Sequence, residues 1–141
     1  MKIKFNFDEN NYESIEIKFI KDSDSDVDAK TGCADMELMV INPVMSALRL
    51  KYPENNYELE KTEDTLKINC PSGDGKMVLG FVYRSLFTLI KFIEAGIADN
   101  KEGLSEEDRK KEAERIVDEI AKLSEEEIVE KLGIVKEDEE N

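Results

Sequence analysis

The 141-residue chain has no histidine and no tryptophan, two cysteines and three prolines. Without histidine there is no imidazole general base, no Ser-His-Asp or Cys-His nucleophile system and no His-containing zinc site. Cys33 and Cys70 cannot complete a four-thiolate zinc site, and no spacing motif pairs them. A basic surplus is missing too: 20 Lys and Arg stand against 34 Asp and Glu, a net charge of −14. Direct binding to nucleic acid or anionic lipid is therefore disfavoured, because both need Lys/Arg patches. The same charge suits solubility and attraction to a basic partner surface. Met1–Phe7 alternates lysine with apolar residues and has no signal-peptide core, so a cytoplasmic protein with reduced thiols is expected.

Long apolar runs are also scarce; Lys76–Ala95 is the exception. Its small and polar residues Lys76, Gly80, Arg84, Thr88, Lys91 and Ala95 step by three or four. This spacing predicts a helix apolar over most of its circumference, a central core helix wrapped by other elements. Arg84 and Lys91 inside the run argue against a membrane span. A strand at Lys76–Tyr83, followed by a helix from Ser85, is the competing local reading.

Around this run, alternation predicts an N-terminal hairpin of Lys2–Phe7 and Tyr12–Ile20 about the turn Asp8–Asn11. A third strand is expected at Asp35–Ile41, a helix starting at Asn42-Pro43 and stopped by Pro53, and a second hairpin of Tyr57–Lys61 and Thr65–Cys70. Ser105–Asp108 and Ser124–Glu127 read as capping-box helix starts, and Gly133 as the close of the second helix. The expected fold is α+β. An antiparallel sheet of about five strands packs on the long central helix, and two C-terminal helices follow. One domain is expected over 1–135, with 136–141 an acidic, disordered tail.

Three short patterns stand out, two of which suggest chemistry. Asp24, Asp26, Asp28 and Asp35 align with a calcium loop, but Ala29 stands where glycine is needed and Asp35 where a bidentate Glu is needed. Gly73, Gly75 and Lys76 suggest a phosphate loop, but the first glycine is misplaced and Met77 replaces the Mg²⁺-binding hydroxyl. Glu-Asn-Asn-Tyr-Glu occurs at both Glu9–Glu13 and Glu54–Glu58, as a recurrent turn into a strand or the trace of a duplication. No cofactor, metal or enzymatic activity is expected; carboxylate–metal chemistry at Asp24, Asp26 and Asp28 is the enzymatic alternative.

The acid surplus concentrates in two patches, Asp22–Asp28 and Ser124–Asn141. Candidate partner-binding residues are Asp22, Asp24, Asp26 and Asp28 in the first, and Glu125, Glu126, Glu127 and Glu130 in the second. Carboxylates one helical turn apart lie about 6 Å from each other, of the order of the phosphate spacing along one nucleic-acid strand. On the strength of Asp22–Asp28 and the Glu-rich Ser124–Glu140, the chain resembles, in general character, the small acidic inhibitor proteins of phages and mobile elements, anti-CRISPR proteins among them. The resemblance implies a binding protein rather than an enzyme. Its partner would be a larger basic protein, such as a CRISPR effector in the host cytoplasm, with no direct contact to nucleic acid or membrane. A toxin-neutralising immunity protein, or a phage assembly protein forming homo-oligomers, is the alternative. Reversing charge at Glu125, Glu126 and Glu127 is expected to weaken the complex without unfolding the domain.

Overall fold

A computed structural model of the chain describes residues 2–20, 28–97, 103–133 and 135–136. It is an α+β protein. Strands β1 (Lys2–Phe7) and β2 (Ser14–Ile20) form the expected first hairpin, and β3 (Glu58–Lys61) and β4 (Thr65–Asn69) the second. β2 pairs antiparallel with β4, so these four strands make one antiparallel sheet. Phe5, Ile15, Ile17, Phe19, Leu66 and Ile68 are buried, as alternation demands. The intervening positions are polar, with Glu16 opposite Lys67 and Lys67 opposite Glu60. That is an antiparallel sheet with one apolar and one polar face.

The third expected strand is not formed. Asp35–Ile41 lies in a helical run made of α1 (Ala29–Met36), a π turn (Glu37–Ile41) and α2 (Asn42–Lys51). Cys33, Met36, Val40, Ile41, Val44, Met45 and Leu48 are buried, at spacings of one, three and four. That helical period outweighs the short alternation Met36/Leu38/Val40. Pro43 therefore does not start a helix but sits within one. A proline ring clashes with the carbonyl four residues back in a regular α-helix. Here the Asn42 N–H bonds five residues back, to the Glu37 carbonyl, and the wider π turn relieves the crowding just before the ring. α2 stops at Lys51, before a 3-10 turn at Pro53–Asn55.

The first half thus supplies four strands rather than about five. A two-residue strand, β5 (Val135–Lys136), joins the sheet edge in parallel with β1. Lys136, expected to open the disordered tail, is therefore a strand residue; residues 137–141 lie outside the described residues.

Lys76–Tyr83 is helical, not a strand: α3 runs from Gly75 to Glu94. Its contacts correct the expectation of one long central helix. The chain forms two compact units, Met1–Val82 with Gly133–Asn141, and Tyr83–Leu132. Only Gly75–Val82 of α3 belongs to the sheet-bearing unit, where Val78, Leu79 and Val82 are buried. The helical unit holds the rest of α3, α4 (Glu106–Ala121) and α5 (Glu125–Leu132). Ile116, Ile120 and Ile128 are buried in it. No helix of the described residues is long and apolar enough to cross a membrane.

Candidate functional site

The acids of the helical unit divide into those held by neighbours and those facing solvent alone. Ser105 caps α4, its hydroxyl accepting from the Asp108 N–H at 3.1 Å. Along α4, Arg115 is flanked by two carboxylates: it pairs with Glu112 and lies 2.6 Å from Glu119. The hydrogen bond from Arg115 holds Glu112 below the usual carboxylate range, and the Arg115 guanidinium is raised in return. Lys111 lies 3.6 Å from Glu107. Glu114 and Asp118, one turn apart on the same helix, are exposed and have no ion-pair partner among the described residues.

On α5 a capping box accounts for one acid. The Glu127 N–H donates to the Ser124 hydroxyl at 3.1 Å, and the Ser124 backbone N–H and hydroxyl donate back to the Glu127 carboxylate at 3.4 and 3.2 Å. Glu125, Glu126 and Glu127 sit in the first turn, where the helix dipole favours negative charge. Glu127 is thus a structural residue, and reversing its charge removes the carboxylate half of the capping box along with any surface contact. Glu126 and Glu130 are exposed, one turn apart, and without an ion-pair partner among the described residues. The dipole does not explain Glu130, which lies beyond the first turn.

In the sheet-bearing unit, Asp28 is the N-cap of α1. Its carboxylate accepts from the Thr31 N–H at 2.7 Å. Asp22, Asp24 and Asp26 lie outside the described residues. Asp35, the last member of the calcium-loop alignment, is an exposed residue of α1.

The Cys70–Gly75 segment holds no phosphate loop but a clasp, and both Glu-Asn-Asn-Tyr-Glu copies build it. From the first copy, the Tyr12 carbonyl accepts from the Gly75 N–H at 3.0 Å and the Glu13 carbonyl from the Cys70 N–H at 2.7 Å. From the second, the Tyr57 hydroxyl donates to the Asp74 carboxylate, and the Asn55 amide donates to it at 3.2 Å. Ser72 donates to the other Asp74 oxygen at 3.0 Å. The copies are not conformational twins: the left-handed residue is Tyr12 (φ 49) in one and Asn56 (φ 54) in the other.

Cys70 and Tyr57 beside this clasp are buried. Burial pushes the Cys70 thiol up to about 12, with the Asp74 charge adding to it. Burial likewise pushes the Tyr57 hydroxyl up to about 12, and Asp74 reinforces it against the opposing Asn55 donor. Burial also raises the Cys33 thiol. All three groups are held protonated, the opposite of an activated nucleophile.

Sequence reasoning missed Glu114 and Asp118, for which the signal was an acid–acid pair at i,i+4. It also missed the anchoring role of Arg84, whose guanidinium donates to the Ile120 and Leu123 carbonyls at 3.0 and 2.9 Å, satisfying the end of α4. Comparison with protein-family models, curated proteins and solved structures finds no match to this chain.

Proposed function

We propose that the protein is a small inhibitor. It binds a larger protein through the basic groove which that partner uses for nucleic acid, as a guide-loaded CRISPR nuclease does. The observation that carries this reading is the pairing of exposed carboxylates one turn apart, Glu114 with Asp118 and Glu126 with Glu130, with no cation held against either pair among the described residues. Each pair sets two negative charges about 6 Å apart on a helix, of the order of the phosphate spacing in a nucleic-acid strand. Structural demands do not account for Glu114, Asp118 and Glu130, and the helix dipole alone favours Glu126, whereas caps and ion pairs account for Asp28, Glu112, Glu119 and Glu127. The net charge of −14 adds long-range attraction to a basic groove. Such a binder needs no catalytic group, cofactor or metal.

The test is competition. Fluorescent DNA bound to a guide-loaded nuclease should be displaced by the protein at low salt. The double variant Glu126→Lys/Glu130→Lys should compete on the order of a hundredfold less well, since charge reversal at an interface replaces attraction by repulsion. Equal competition by the variant would remove α5 from the interface.

A further inference from the structure

The helical unit also carries a cleft of about 480 Å³ that the inhibitor reading does not use. Its apolar side is built from Phe87 of α3, Ile116 and Ile120 of α4, and Leu123. Its rim gathers three cations, Lys91, Arg115 and Lys131, with two carboxylates, Glu94 and Glu119. In a chain where acids outnumber bases by 34 to 20, that local balance is reversed.

The rim cations differ in what holds them. Arg115 is taken up by Glu112 and Glu119. The Lys91 ammonium lies 3.2 Å from Glu94 and 5.3 Å from the Phe87 ring centre. Lys131 has no ion-pair partner among the described residues. Lys131 is therefore the one rim cation without an ion-pair partner among the described residues, and it lies beside the apolar side chains that line the cleft. The volume of the cleft falls in the range of small-ligand sites, about 300–1,000 Å³.

We propose that this cleft binds a small amphiphilic monocarboxylate, its apolar body on Ile116, Ile120 and Leu123 and its carboxylate on Lys131. A multiply charged phosphate compound fits less well. Glu94 and Glu119 repel a second negative charge, and the other two cations are already paired.

The test is calorimetric titration of the full chain with decanoate below its micelle concentration, beside decanol as the uncharged counterpart. Decanoate should bind saturably at one site and more tightly than decanol, and shift the methyl resonances of Ile116 and Ile120. Lys131→Gln should weaken it about tenfold, the scale of one charge-assisted contact, while Lys131→Arg keeps it. Lys131 is exposed, so neither change touches the core. Absence of saturable binding, equal binding of decanol, or full affinity in Lys131→Gln would overturn the proposal.

Discussion

The Cys70–Gly75 clasp and helix α5 both hold acids in short segments, and differ in what those acids do. Asp74 accepts from Tyr57, Asn55 and Ser72, and its backbone carbonyl accepts from Met77 and Val78 at the start of α3. Glu130 faces solvent with no ion-pair partner among the described residues. One carboxylate is consumed by the fold and the other is available to something outside it. Sequence charge alone equates the two, and hydrogen bonding separates them. Glu127 is the intermediate case, an acid in the exposed patch whose carboxylate accepts from Ser124 in the capping box.

The comparison breaks most severely at Gly75. A Cβ there would fall on the Tyr12 carbonyl oxygen, so backbone must move. Gly75→Ala should cost about 3 kcal/mol of stability, the upper end for overpacking, read as a lower urea midpoint. An unchanged midpoint would mean that the clasp is loose.

High pH loads the same clasp without mutation. The Cys70 thiol is raised from 9.0 to about 12 in the folded protein. A raised acid contributes stability that is fully present below the unfolded value and lost as pH rises through the folded one. The urea midpoint should therefore fall between pH 9 and 12, and fall less in Cys70→Ala. Parallel curves for the two proteins would contradict the burial argument.

Glu127→Gln should cost about 1 kcal/mol or less, because glutamine retains part of the capping box. Smallest is the effect of Glu130→Lys on stability, within about 0.5 kcal/mol for an exposed position beyond the first turn; adding Glu126→Lys costs up to about 1 kcal/mol more, because it places a cation at the positive end of the helix. A melting curve for each variant shows whether α5 divides into structural and free acids as described.

Both hairpins could be read from the sequence because Ile15, Ile17 and Phe19, like Leu66 and Ile68, alternate cleanly with polar residues. Asp35–Ile41 misled for a physical reason. Leu38 and Met39 are exposed, 66% and 51%, so apolar residues occupied both faces and hid the helical period. Asn42-Pro43 carries the residue signature of a helix start, but the π turn before it lets the helix run through the proline. The role of Arg84 depends on carbonyl oxygens 36 and 39 residues away, which no local pattern announces. For the candidate site, the acids of α5 were visible as composition. Their division was only partly so: Ser124-x-x-Glu127 announced a cap, but nothing local marked Glu126 and Glu130 as unpaired.

The most direct test of the central claim is DNA displacement from a guide-loaded nuclease by the wild-type protein and by Glu126→Lys/Glu130→Lys, each at low and high salt. The account predicts displacement by the wild type that weakens with salt, as screened charge requires, and is largely lost in a variant that remains folded. Displacement that resists both salt and the double reversal would contradict it.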